Sequence, residues 1–237
     1  MDDRPVFGGL TDPTDWLRLA GRRAADGRYE DALRAHVFYH RHALEVEDAQ
    51  FGVRLSFALS DWARLALDYP PALDALRTTR REAAAAAISP GDPERFLEAV
   101  SIDQYLHDDE ATYALIEAVE SAHPTALDDF VDHRTLDVLL ARGEYHRALR
   151  WIVEPWRSFA SQVEIFGFPN PGIPDHEEWR RRRFVDDVRR LLLILVGAGR
   201  EEDASRMAEQ ALQVVDDPGL TTALGDARRA VTSRPPI

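Results

Sequence analysis

The chain has 237 residues, with 29 basic side chains against 42 acidic ones and a formal net charge of −13 at pH 7. All the basic residues are arginine, and cysteine is absent. A field of that sign repels phosphate backbones and anionic membranes, so neither nucleic acid nor a membrane is an expected partner. The missing lysine removes Schiff-base and P-loop chemistry, and the missing thiol removes disulfides and cysteine-ligated metals.

With 45% apolar residues the chain has ample material for a hydrophobic core, and the expectation is one domain over 1–237. The acidic first residues lack the basic and apolar regions of a secretory signal. The longest apolar run, 191–197, is too short to span a bilayer, so a cytoplasmic protein is expected. Arginine-only, alanine-rich usage resembles that of a GC-rich bacterial genome.

In chain order, apolar residues recur at three- and four-residue spacing almost throughout, and no segment alternates as a half-buried strand would. The prediction is an all-α fold of roughly ten helices, punctuated by prolines and glycines. The first strong phrase is Gly27-Arg28-Tyr29-Glu30-Asp31-Ala32-Leu33, where glycine closes one helix and a small alanine lets the next approach. On that next helix His36 and His40 share a face, the spacing that chelates a metal. Phe38 and Tyr39 lie between them, and Glu47 is a third possible ligand. The glutamate that defines the metalloprotease pattern is missing. Packed or partner-lining histidines are therefore preferred, with no metal and no cofactor.

Residues 48–69 read as one helix with Phe51, Leu55, Leu59, Trp62, Ala66 and Tyr69 on a stripe and Val53 and Phe57 as a second apolar edge. Arg54, Ser56, Ser60 and Asp61 lie among them, as an internal hydrogen-bond set or as a solvated edge with Asp61 paired to Arg64. A degenerate hairpin is expected over 96–124, with Asp108 and Asp109 capping a helix in preference to acting beside His107 as a metal pair. Glu120 and His123 make only half of a di-iron motif.

The phrase returns at Gly143-Glu144-Tyr145-His146-Arg147-Ala148-Leu149, and again without the aromatic at Gly199-Arg200-Glu201-Glu202-Asp203-Ala204. Pro155 is expected to kink or end the helix after the second copy, and Pro218 to terminate the third. Between them a Pro/Gly-rich loop at 164–176 carries Phe166 and Phe168, and beyond it Trp179 precedes the only basic run, Arg180 to Arg183. Acidic neighbours make that run an ion-paired helix start.

These recurring phrases, together with Trp16, Leu19 and Ala20 before the first turn, resemble the tetratricopeptide repeat family. Arg23 departs from its pattern, and the copies begin at 27, 143 and 199 without the family's regular period. The resemblance implies an irregular TPR-like superhelix of antiparallel helix hairpins whose concave face holds a peptide or protein. Carried over from the later copies, the groove-lining positions are Phe130, His133 and Asp137, then Asp186 and Arg189. His36, Tyr39, His40, Phe166 and Phe168 complete the candidate partner-binding set. The expected function is a non-catalytic interaction or adaptor module for a partner that the −13 charge suggests is basic, an immunity-type protein being one version. The alternatives are a metal-dependent hydrolase at His36 and His40, and a structural homo-oligomer joined through the aromatic loop.

Overall fold

The computed structural model describes residues 9–127, 133–152, 154–168 and 176–233. Among them the chain is all helix, without strands, in thirteen helical segments. It divides into two compact units, 1–126 and 127–237.

The first unit holds α1 (Pro13–Ala25), α2 (Tyr29–Val46), α3 (Gln50–Arg54), α4 (Phe57–Asp68), α5 (Pro70–Ile88), α6 (Pro93–Leu106) and α7 (Asp109–Ala122). α1 and α2 pack along each other, with Trp16 and Ala20 against Ala35, Phe38, Tyr39 and Ala43. A second core joins Ala32 of α2 to Leu59 and Trp62 of α4, Leu76 of α5 and Ile102 of α6. The second unit holds α8 (His133–Arg142), α9 (Tyr145–Trp151), α10 (Pro155–Gly167), α11 (His176–Gly197), α12 (Glu201–Val214) and α13 (Pro218–Thr232). α11 is central there and packs against each of the other five. Its residues Phe184, Val188, Leu192 and Leu195 are buried.

Prolines start helices, as the sequence implies. Pro13, Pro93 and Pro218 each follow an aspartate whose carboxylate accepts a first-turn N–H, at 2.7 Å from Thr14, 2.9 Å from Glu94 and 2.8 Å from Gly219. α9 ends at Trp151, ahead of Pro155, and Pro155 is the first residue of α10. Asp108 caps α7 through the Ala111 N–H at 3.0 Å.

The three repeated phrases fold into one turn. Gly27, Gly143 and Gly199 take φ of 72°, 78° and 75°. Each donates its N–H to the carbonyl three residues back, and the next residue donates to the carbonyl five back, as in Arg28 to Arg23 at 2.8 Å and Arg200 to Leu195 at 2.8 Å. The residue five beyond each glycine is a fully buried alanine, Ala32, Ala148 or Ala204. The hairpin expected over 96–124 is present as α6 and α7, and its turn has the same hydrogen bonds with His107 at φ 54° in place of glycine and buried Thr112 in place of alanine. A left-handed conformation strains any side chain with a Cβ. His107→Gly is therefore expected to stabilise the protein by roughly 0.5–1 kcal/mol. A urea unfolding midpoint that falls instead would contradict this reading of the turn.

Two expectations are corrected. Residues 48–69 form α3 and α4 and not one helix, because the Ser56 hydroxyl donates to the Gly52 carbonyl at 2.6 Å and takes the place of its own helical N–H. The break turns Phe57 outward, 74% exposed, off the expected apolar edge. At 164–176, residues 164–167 belong to α10, and 169–175 lie outside the described residues.

Candidate functional site

In the first unit the sequence's histidine cluster is the centre of a buried polar network. His36, Tyr39 and His40 are 3, 0 and 5% exposed, so a partner reaching them has to enter the unit. The His36 ring stacks on Trp62 with centroids 6.1 Å apart, and the His40 ring meets the same indole edge-on at 5.7 Å. His40 Nε2 lies 2.7 Å from Glu98 Oε1, across from α6. The Glu98 carboxylate also accepts from Arg54 Nη2 of α3 at 3.1 Å and from Arg95 Nη1 at 2.7 Å. An ionised carboxylate requires the proton on Nε2, so Arg54 Nη1, 3.0 Å from that nitrogen, donates instead to the His40 carbonyl at 3.3 Å.

This geometry sets the protonation states. Burial, with His40 close by, lowers His36 to about 4, and burial holds His40 below its ordinary value against the pull of Glu98. Burial alone would raise Glu98, but the hydrogen bond from His40 and the Arg54 guanidinium outweigh it and hold the carboxyl at about 2. Both imidazoles are thus neutral in the folded chain and bind protons more readily once unfolded, near pH 6.5. Stability is expected to be level above about pH 7 and to fall as pH drops from about 6.5 towards 4. Between about pH 7 and 5 the loss from His36 alone is on the order of 2 kcal/mol, with His40 adding to it and Glu98 joining below about 4.5. Urea titrations at the two pH values check this, since His36→Gln should flatten the dependence. An unchanged slope would place the His36 titration elsewhere.

For the metal alternative, the geometry puts a guanidinium beside the histidine nitrogen that faces Glu98. The third ligand proposed, Glu47, lies past the end of α2 and accepts from Gln50 Nε2 at 2.8 Å. Gln50 in turn accepts from the Tyr39 hydroxyl at 2.9 Å. Among the described residues no group of three or more His, Asp or Glu is placed to hold a metal ion. His123, from the half di-iron motif, approaches the Ile88 carbonyl at 2.9 Å. A second pair, half-buried Arg80 with buried Asp103 at 2.8 Å, joins α5 to α6, and Arg80 also donates to the Ala111 carbonyl of α7.

In the second unit three of the five residues chosen for a groove line one recess. Asp137 of α8 and Asp186 and Arg189 of α11 line one groove of about 510 Å³ together with Asp226 and Ala227 of α13. Arg190 crosses it with a two-pronged bond to Asp137 at 2.7 and 3.1 Å and a third to Asp187 at 2.7 Å. Arg189 is 3.6 Å from Asp226. Asp186 is exposed and has no ion pair or hydrogen bond among the described residues. His133 is exposed at the start of α8, outside the groove lining, and Phe130 lies outside the described residues.

The aromatic pair beside the Pro/Gly segment splits. Phe166 is half-buried on Phe184 at 5.2 Å, whereas Phe168 is 73% exposed. Arg180 binds both their carbonyls. The basic run is otherwise paired as expected, with Arg181 to Asp217 at 3.7 Å, Arg182 to Glu178 at 3.5 Å and Arg183 to Asp187 at 3.7 Å.

Glu98, Arg95, Arg190 and Asp226 were not among the residues the sequence singled out. Only Arg54 carried a signal, as a charge inside an apolar stripe. Comparison with protein-family models, with curated proteins and with solved structures finds no match. No helix among the described residues is long and apolar enough to cross a membrane.

Proposed function

We propose that the chain is a non-catalytic interaction module of tetratricopeptide-like hairpins that takes an extended basic peptide, or such a segment of a protein partner, on the groove of its second unit. The observation that carries this reading is the meeting of α8, α11 and α13 around an apolar base, Leu140, Ala223 and Ala227, flanked by Asp137, Asp186 and Asp226. Small residues at the base admit a backbone, and the exposed Asp186 carboxylate suits an arginine or lysine side chain. The unpaired Asp186 is the carboxylate most free to accept one. Four hairpin turns of one geometry support the repeat resemblance, and the −13 charge would steer a cationic partner, as in an immunity-type pairing with a basic protein.

The test is fluorescence anisotropy with labelled peptides of equal length, one arginine-rich and one glutamate-rich. The basic peptide is expected to bind and to weaken with added salt. Asp186→Arg, at an exposed position, should leave the fold intact and cut that affinity at least about tenfold. Equal binding of both peptides, or no effect of Asp186→Arg, would contradict the reading.

A further inference from the structure

Two charges on the groove of the second unit have no hydrogen bond among the described residues, and they are of opposite sign. Asp137 is held by both prongs of Arg190, whose third bond goes to Asp187. Asp226 accepts from the Arg229 guanidinium and from the Thr222 hydroxyl at 2.9 Å. One turn earlier on α11, Arg182 pairs with Glu178 and Arg183 with Asp187. What remains is Asp186 and Arg189. The one contact of Arg189 is Asp226 at 3.6 Å, beyond hydrogen-bond distance and on a carboxylate that Arg229 already holds. Both residues are exposed and line the groove.

Around the groove the carboxylates and guanidiniums thus balance, and a partner there is sorted by where its charges stand as well as by their sum. Asp186 and Arg189 are three residues apart on one helix, which puts their Cβ atoms about 5–6 Å apart on the same face. Along an extended chain, side chains two residues apart share a face and stand about 6.6 Å apart, while the residue between them points the other way. The two spacings match within the reach of side chains as long as arginine and glutamate. A basic side chain on Asp186 and an acidic one on Arg189 are then satisfied together. A second basic side chain in the place of the acidic one meets a guanidinium and is disfavoured.

We infer that the groove selects a partner segment carrying a basic and an acidic residue two positions apart, the basic one on Asp186 and the acidic one on Arg189. This selectivity, which rests on the groove being a peptide site, makes Arg189 the specificity-determining residue.

Fluorescence anisotropy of the full chain tests it with labelled peptides of equal length on an alanine and serine background. One pair bears Arg-Ala-Glu in either order, and the others bear Arg-Ala-Ala, Ala-Ala-Glu and Arg-Ala-Arg. The better order of the mixed pair is expected to bind about threefold tighter than Arg-Ala-Ala, the size of one exposed ion pair, although it carries less positive charge. Arg-Ala-Arg should gain nothing over Arg-Ala-Ala, and Ala-Ala-Glu should bind most weakly. Arg189→Gln should abolish the advantage of the acidic residue and leave Arg-Ala-Ala bound at least as tightly, whereas Arg189→Lys should keep part of that advantage. Circular dichroism confirms that both variants are folded. If Arg-Ala-Ala binds and is lost in Asp186→Arg, yet the acidic residue adds nothing or its advantage survives Arg189→Gln, the pairing is overturned and the basic-peptide site stands. Arg-Ala-Arg binding tighter than the mixed pair overturns it equally. If no arginine-bearing peptide binds, the pairing and the peptide site fall together.

Discussion

Glu98→Ala is expected to cost about 3–5 kcal/mol of folding free energy, among the largest single-residue effects in the chain. The carboxylate is 1% exposed and accepts from three groups on three helices, His40, Arg54 and Arg95. Without it the Arg54 guanidinium remains buried with no countercharge, and that uncompensated ion, more than the lost bonds, sets the size of the effect. The double variant Arg54→Met with Glu98→Met removes both charges and should cost clearly less than Glu98→Ala alone. Urea unfolding of the three proteins at about pH 7 makes the comparison. A Glu98→Ala loss below about 1 kcal/mol would mean that Arg54 reaches solvent and that the network is not closed.

Gly197→Ala should be the next most damaging, at about 1–3 kcal/mol or somewhat more. Gly197 ends α11 directly against the ring of Tyr145, and a Cβ built at 197 overlaps that ring. Tyr145 is itself buried in the first turn of α9, so the ring has no open space to enter. Relief should come from the partner, since Tyr145→Leu in the Gly197→Ala background is expected to recover part of the loss. If Gly197→Ala unfolds at the wild-type denaturant concentration, α9 and α11 are less closely packed than described.

The sequence made the hairpins legible because their turns depend on local chemistry. A glycine with positive φ, a polar residue and an alanine five positions on are all within one phrase, and three phrases gave three turns of one geometry. The fourth was visible only as an apolar pattern, because His107 fills the left-handed position that glycine usually marks. The break at Ser56 was hidden for a related reason. A serine hydroxyl that displaces a backbone N–H leaves the apolar spacing unchanged on either side.

The sites were legible in proportion to how local they are. Asp137, Asp186 and Arg189 line one groove of the second unit, and each was picked out from positions within its own hairpin. The histidines at 36 and 40 were found by spacing, but what they do is set by Glu98, fifty-eight residues beyond His40, and by Arg54 on a helix the sequence did not separate. No spacing rule connects those positions. The fold brings them together, and their mutual neutralisation is what makes a carboxylate and a guanidinium tolerable in that core.

Binding of a basic segment on the groove of the second unit is the central claim, and its most direct test is photo-crosslinking of an arginine-rich peptide to the intact chain, with the labelled residues mapped by mass spectrometry. The expected result is labelling confined to α8, α11 and α13 around Asp137, Asp186 and Asp226, lost in Asp186→Arg and suppressed by salt. Labelling of the apolar groove between α10 and α12 at Trp156 and Phe159, or of the first unit, would contradict it.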